Sequence, residues 1–334
     1  MLTSLVITDF IEQKKEFDLL IDARSPKEFE ESHIPNAYNY YALSNEEHHQ
    51  VGTLYKQISR NDAKALGASY ICANVARHIQ TIYQNYKIGS KIGIYCAKGG
   101  MRSSSIALIL SSIGYQVFKL DGGYKSYRNY VLSYLETFSH ERFIVLGGNT
   151  GCGKTELLEH LYPAINLEKL ANHMGSSFGG VKGVQPSQRA FENELCDNLS
   201  TLNPLETIFI EGESKRMGSI TIPSRLHEKM QLAPRVEVTA PLHDRIERIL
   251  KDYQHIDSNL FYEAMQKITP YISKSAKERA MEAFNAHDLA LVAHILLVEY
   301  YDKVYKKPKE IFYSIDNTSL NHTLNYLKTL QVAF

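Results

Sequence analysis

The run Ile92-Gly93-Ile94-Tyr95-Cys96-Ala97-Lys98-Gly99-Gly100-Met101-Arg102-Ser103, followed by an apolar stretch from Ser105 to Ile113, admits few folds. A short β-branched strand delivers a cysteine into a tight glycine-containing loop. The loop feeds a helix whose unpaired N–H groups and dipole point back at the sulfur. A helix N-terminus with basic side chains nearby, here Lys98 and Arg102, favours a reactive cysteine. Gly99 and Gly100 allow successive backbone N–H groups to turn inward as an anion cradle, which Lys98, Met101 and Ser103 complete. Cys96 is therefore the expected nucleophile and Arg102 the expected counter-charge. A lone cysteine is more often a small buried hydrophobe, but strand, glycines, arginine and helix agree here on a functional loop.

A chain of 334 residues is long for one core, so two domains of ordinary size are expected. Hydrophobic residues at 44% and charged residues at 22% mark a globular chain. Cys72, Cys96, Cys152 and Cys196 are too few for a disulfide framework. With no basic region leading into an apolar signal core at the start, a cytoplasmic location is expected. The longest uncharged apolar run, Leu289 to Val298, is too short to span a bilayer and reads as a buried helix, so no membrane partner is expected. With 37 basic and 37 acidic residues, composition gives no support to a nucleic-acid partner, although a local basic face is compatible with the balance.

Along the first half, Leu5 to Ile7 and Leu19 to Ile21 have strand length, and the second leads to Asp22-Ala23-Arg24-Ser25-Pro26. Ser25, Pro26 and Glu28 have the form of a capped helix start. Tyr38 to Tyr41 reads as extended. Leu66 to Tyr86 has helical spacing, with Ile71, Val75, His78, Ile79 and Ile82 on one side and Cys72 expected in the core. After the Cys96 loop and its helix comes a strand, Val117 to Leu120, ending at Asp121-Gly122-Gly123-Tyr124. Strands alternating with helices imply a mostly parallel sheet, with the ligand at the carboxyl ends of the strands. Cys96 lies at such an end, and Asp22, at the exit of another strand, is a candidate carboxylate for orienting the loop or simply a local cap.

A connecting helix from Tyr124 to Phe138 and the polar Ser139 to Arg142 precede the opening of the second domain. Phe143 to Leu146 is an apolar strand, and Gly147-Gly148-Asn149-Thr150-Gly151-Cys152-Gly153-Lys154-Thr155 after it has the P-loop spacing before a helix. Backbone N–H groups from Gly148 to Gly153 would wrap a phosphate, Lys154 adds a point charge, and Thr155 offers a hydroxyl to Mg²⁺. Cys152 is expected to be a small loop residue. Thr207 to Glu213 is an apolar strand ending in carboxylates, of which Glu211 is the candidate for ordering a metal or water; a charged strand exit is the competing reading. Arg235 to Val238 is a further strand, and Arg245 and Arg248 on the helix after it are expected to be exposed helix charges rather than phosphate contacts. Asn285 to Tyr305 reads as one long core helix, with Lys303, Lys306, Lys307 and Lys309 favourably placed near its C-terminal end.

Leu20 to Ala37, Tyr95 to Ser103 and Asp121 to Tyr124 together resemble a rhodanese domain. In its commonest single-domain form arginine stands five residues after the cysteine, whereas Arg102 stands six after Cys96. That longer loop suits a tetrahedral phosphorus oxyanion and also occurs in the dual-specificity phosphatases of the cell cycle, which usually have His where this chain has Tyr95. The strings Val51 to Gln57, Ala171 to Gly179, Gln185 to Gln188 and Tyr300 to Asp302, with a rhodanese domain joined to a P-loop domain, are similar to those of bacterial tRNA 2-selenouridine synthases, and in that family the longer loop is usual.

The resemblance implies an N-terminal rhodanese-like α/β domain, residues 1–136, followed by a P-loop NTPase-like parallel α/β domain, residues 137–334, with a helical C-terminal part. It further implies a transferase acting on wobble 2-thiouridine, position 34, of the tRNAs for Lys, Glu and Gln. S-geranylation by geranyl diphosphate would precede selenation by selenophosphate. On this reading the P-loop holds the diphosphate and the Cys96 loop holds selenophosphate, with Cys96 either forming an enzyme perselenide or assisting attack at C2. A selenophosphate-supplying enzyme is an expected partner, Mg²⁺ is compatible with the P-loop, and ATP use is left open. Other classes remain: a rhodanese-type sulfurtransferase or phosphatase with a regulatory nucleotide-binding module, and a non-catalytic sulfur-responsive regulator. If tRNA is the substrate, neutrality overall requires phosphate contacts to gather on one face and binding to weaken steeply with salt. With no Trp, any base-stacking platform must use Tyr, Phe, His or Arg.

Overall fold

The computed structural model describes residues 1–253, 256–305 and 310–333. The chain divides into two compact units, Met1–Tyr134 with Glu192–Cys196, and Leu135–Phe191 with Asp197–Phe334.

The first unit is a rhodanese-like α/β domain built on five strands: β1 Leu2–Leu5, β2 Leu19–Asp22, β3 Tyr38–Asn39, β4 Lys91–Tyr95 and β5 Gln116–Leu120. All pairings are parallel, in the order β1-β5-β4-β2-β3. From Ile92 to Tyr95 every β4 residue is buried, which suits a central strand covered on both faces. Ile92 and Ile94 pack with Ile21, Ile71, Val75 and Leu110 in one core. The chain leaves β2 for the edge strand β3 and then crosses back to β4, so the connections diverge between β2 and β4. A crevice opens at the carboxyl ends of strands where connections diverge in this way, and there Cys96 follows β4 and Asp22 ends β2. The expected cap is present: Ser25 and Glu28 form a capping box on the helix Pro26–Glu31. Two expectations are corrected. Ile7 opens a helix, Ile7–Gln13, rather than closing a strand. Cys72 is exposed, because the helix Arg60–Asn85 turns Ile71, Val75 and Ile82 to the core and carries Cys72 round to solvent.

The second unit carries β6 Phe143–Gly147, β7 Ala164–Ile165, β8 Ile208–Glu211, the antiparallel pair β9 Arg216–Met217 and β10 Ile220–Thr221, then β11 Arg235–Thr239 and β12 Tyr313–Asp316. Its main sheet is parallel, in the order β12-β11-β6-β8-β7. Both β6 and β8 are wholly buried. After β6 the chain fills one side of the sheet with β7 and β8 before crossing to β11 and β12, so the P-loop leaves β6 at the divergence point.

The helical C-terminal part has its own core, in which Phe261 and Ile268 of helix Ser258–Ile268 meet Ala280 of Lys274–Asn285 and Ile295 of Leu289–Leu296. The single helix expected from Asn285 to Tyr305 is corrected. His287 takes a left-handed φ of 60°, and Asp288 caps a new helix by accepting from the Leu291 N–H at 2.9 Å. That helix runs into a π-helical turn, Leu297–Tyr301. Lys303 pairs with Glu299 one turn back at 2.7 Å, and Lys306, Lys307 and Lys309 lie outside the described residues. No helix among the described residues is long and apolar enough to cross a membrane.

Candidate functional site

Cys96 sits immediately after β4 and is 2% exposed. The Ser103 hydroxyl, itself buried in the first turn of helix Met101–Ser112, donates to the Cys96 Sγ at 3.2 Å. The thiol lies 3.8 Å from the Gly100 carbonyl. Sulfur, Ser103 and helix N-terminus are thus together, as the strand-loop-helix pattern requires. Lys98 and Met101 are exposed on the rim. The amides of Lys98, Gly99 and Gly100 take no hydrogen-bond partner among the described residues. The Asp121 to Tyr124 motif underpins the loop: the Tyr124 N–H donates to the Cys96 carbonyl at 2.8 Å and the Lys125 N–H to the Ala97 carbonyl at 3.1 Å. Gly123 has a φ of 59°, and a Cβ there would meet the Lys98 amide nitrogen at 2.9 Å, so only glycine fits beneath the loop.

Two side chains expected to serve the cysteine directly are engaged elsewhere. Arg102 donates from Nη1 to Glu28 Oε2 at 2.7 Å, and that same oxygen accepts the Ser25 N–H at 3.1 Å. Burial opposes the charge on Glu28, but the Arg102 guanidinium and the Ser25 N–H hold its carboxyl below the usual range. Asp22, fully buried, is held by Arg24 through Nε at 3.0 Å and Nη2 at 2.5 Å, and Arg24 lies 3.8 Å from the centre of the Tyr124 ring. Asp22 therefore anchors Arg24 against the motif beneath the loop, in place of orienting the sulfur itself.

In the second unit the P-loop leaves β6 with Gly148, Gly151 and Gly153 all at positive φ. Helix Lys154–Glu159 starts directly after it. Lys154 Nζ folds over the loop and donates to the Gly148 carbonyl at 2.8 Å. The amides of Thr150, Gly151 and Gly153 take no partner among the described residues. Cys152 is buried, and burial pushes its thiol up, as befits a small packing residue rather than a nucleophile. The outward carbonyls are pinned from behind: Arg245 Nε donates to Thr150 O at 2.8 Å, Arg248 Nη1 to Gly151 O at 3.4 Å, and Asn317 Nδ2 to Cys152 O at 2.9 Å. Arg245 also forms a two-pronged pair with Asp302, which accepts Asn149 Nδ2 at 2.8 Å. The expectation that Arg245 and Arg248 are exposed helix charges is thereby corrected: Arg245 is 6% exposed, and both hold the shape of the P-loop.

Beside Lys154 and Thr155 the structure assembles three carboxylates. Thr155 Oγ1 donates to Glu168 Oε2 at 2.9 Å, and the Glu168 N–H donates to Glu211 Oε2 at 2.8 Å. Glu211 is fully buried with its other oxygen unpartnered. Burial together with Glu168 and Glu213 raises the Glu211 carboxyl well above its usual range. Burial likewise raises Glu168 against the pull of Lys154, and burial with the Glu168 charge brings Glu213 up to about 7. No group of three or more His, Cys, Asp or Glu among the described residues is arranged to hold a metal ion by itself. The hard oxygen donors fit Mg²⁺ only as partial ligands, so Thr155 and Glu168 would hold it with water and ligand oxygens. Glu168 escaped sequence reasoning because it lies on a five-residue helix, Leu167–Ala171, outside both the P-loop and the Thr207 to Glu213 strand. Asn317, fully buried after β12, carried no signal at all, and Glu28 was visible only as a cap.

The two halves of the chain match two family models, a rhodanese-like domain over residues 7–130 and a tRNA 2-selenouridine synthase AAA domain over residues 141–267. The tRNA 2-selenouridine synthase of Hydrogenovibrio crunogenus is 32% identical over 318 residues, covering 86% of this chain and 88% of that protein. The chain belongs to the tRNA 2-selenouridine synthase family. The member from Psychromonas ingrahamii is 36% identical over 235 residues, and that from Pseudomonas syringae pv. syringae 37% over 238. Each of these alignments covers 70% of this chain, and they span 64% and 65% of the respective family members. The family's AAA-domain match contains the P-loop, Glu168, Glu211 and Arg245, and its rhodanese match contains Cys96 and its supporting glycines.

Proposed function

We propose that this chain is an enzyme acting on tRNA that replaces the sulfur of wobble 2-thiouridine, position 34, by selenium. The substrates on this reading are the tRNAs for Lys, Glu and Gln. The observation that carries it is the presence of two anion cradles in one family member, one built round a cysteine and one round a lysine. Two phosphorus-containing donors match two cradles: geranyl diphosphate for the P-loop and selenophosphate for the Cys96 loop.

In the first step the thiocarbonyl sulfur attacks the terminal carbon of the geranyl group, the carbon–oxygen bond breaks, diphosphate leaves and the base loses a proton. Lys154 and the loop amides stabilise the leaving diphosphate. In the second step selenium adds to C2, geranyl thiol leaves, and hydrolysis of the phosphorus–selenium bond releases phosphate. Alkylation makes chemical sense as the first step, because a thiocarbonyl sulfur is a poor leaving group and an alkyl thiol a better one. Cys96 and Ser103 stand where the selenium donor would sit, and Glu28 positions Arg102 at the edge of that cradle.

The test is direct. Thiolated tRNA is incubated with the full chain and with geranyl diphosphate alone, selenophosphate alone, or both, and the nucleosides are weighed by mass spectrometry. S-geranyl-2-thiouridine with the first, no change with the second and 2-selenouridine with both is the expected pattern. Selenouridine formed without the prenyl donor would overturn the two-step scheme, and release of thiocyanate or phosphate from simple donors without tRNA change would point to a sulfurtransferase or phosphatase.

A further inference from the structure

Against the P-loop cleft, and sharing its wall, lies a second opening of opposite character. It is a narrow slot, open to solvent at its mouth, with an almost wholly apolar lining. Thr150 of the P-loop, Ile249, Tyr253 and Tyr301 line both the slot and the phosphate cleft. Beyond this shared wall the slot is lined only by groups such as Phe178, Phe261, Phe284, Ala293 and Leu296. Phe261 and Phe284 stack at 3.8 Å between centroids and 4° between planes, giving the slot a rigid aromatic wall. The phosphate cleft has the opposite lining, with Lys154, Thr155, Glu168, Glu213 and Arg248 around it.

A pair of openings joined in this way fits a ligand with a phosphate head on a hydrocarbon tail. The slot next to Thr150 itself offers a polar base or ribose almost no hydrogen-bonding partner. We propose that the slot between the helices Leu242–Tyr253, Ser258–Ile268, Lys274–Asn285 and Leu289–Leu296 binds the prenyl tail of the donor and sets its length. This inference rests on the reading of the P-loop as the diphosphate cradle, and it deepens that reading by assigning the tail. The helical C-terminal part is thereby the specificity element of the P-loop unit. Ala293, 5% exposed on helix Leu289–Leu296, is the smallest side chain lining the slot, so a larger residue there would narrow it.

Calorimetric titration of the full chain with inorganic pyrophosphate, dimethylallyl, geranyl and farnesyl diphosphates and ATP tests the assignment. Burial of further methylene groups strengthens binding, so geranyl diphosphate should bind at least about tenfold more tightly than the dimethylallyl compound. Ala293→Phe should erase that gain while pyrophosphate still binds, and Phe284→Ala, which widens the slot, should move preference toward farnesyl diphosphate. Equal binding of dimethylallyl and geranyl diphosphates by the unaltered chain would overturn the tail assignment. So would a geranyl preference that neither variant alters in a folded protein. Lys154→Ala separates the two layers. Pyrophosphate binding indifferent to that change would remove the diphosphate cradle itself, whereas pyrophosphate binding lost with Lys154 but blind to tail length would remove only the slot.

Discussion

The Cys96 loop and the P-loop are both strand-to-helix turns at the divergence point of a parallel sheet, yet they are built from different materials. Beneath the Cys96 loop the support is backbone: amides 124 and 125 bond carbonyls 96 and 97, and Gly123 leaves room for the close approach. Its arginine is neutralised by Glu28. Around the P-loop the support is charge: Arg245 and Arg248 grip the carbonyls from behind, Lys154 covers the front, and Glu168, Glu211 and Glu213 crowd beside it. On the proposed function the Cys96 loop meets its anionic donor mainly with backbone amides. On the proposed function the P-loop meets its diphosphate with fixed positive charge as well as backbone amides.

The sharpest way to break this comparison is Cys96→Ser. Loss of the thiol should lower selenium incorporation by at least about a thousandfold, since a hydroxyl cannot stand in for a sulfur that takes part in selenium transfer. Geranylation, assigned to the other cradle, should largely survive. Mass spectrometry of the nucleosides reads both products, and equal loss of the two would mean that the loops do not divide the labour.

Lys154→Ala acts on the other side. Removing a charge-assisted contact of roughly 1.5–3 kcal/mol should weaken donor binding about tenfold to a hundredfold. Selenation of tRNA supplied already S-geranylated should proceed. A variant that geranylates normally but no longer binds ATP would reverse the assignment and make the P-loop a nucleotide site.

The carboxylate cluster gives the comparison a pH signature. Glu213 has a folded-state value of about 7 against an ordinary 4.5, so its protonated form suits the fold and its ionised form does not. Its stabilising contribution is present below about pH 4.5 and lost as the pH rises through about 7. Relative to the unaltered chain, Glu213→Gln should therefore gain stability between pH 5 and pH 8, by roughly 1–3 kcal/mol. Urea unfolding at the two pH values measures this, and parallel pH slopes for both proteins would show that Glu213 ionises freely.

The smallest effect concerns Arg102. Glu28→Gln removes the carboxylate charge facing the guanidinium, so inorganic phosphate or selenophosphate should bind the Cys96 loop roughly two- to fivefold more tightly, the scale of a partly exposed ion pair. Unchanged affinity would leave Arg102 a purely structural partner of the capping box.

By itself the sequence determined the two halves and the position of each loop, because both signals are local: a strand, a turn that needs glycine, and a helix start follow one another within about a dozen residues. The Ser25 to Glu28 cap was legible for the same reason. Only the tertiary structure decided what surrounds those loops. Arg102 found Glu28 across 74 residues, Thr155 found Glu168, and Arg245 found Asp302 across 57, pairings that depend on how helices pack and leave no periodic trace in the chain. Helical spacing also overran its limits. The apolar stretch after Asn285 has no proline or glycine to mark a break, and the helix is interrupted by His287 in a left-handed conformation and the cap at Asp288. The slot beside Thr150 was hidden for the same physical reason as the ion pairs. Its phenylalanines and Ala293 are ordinary core residues in the sequence, and become a binding wall only where three-dimensional packing leaves them facing a space.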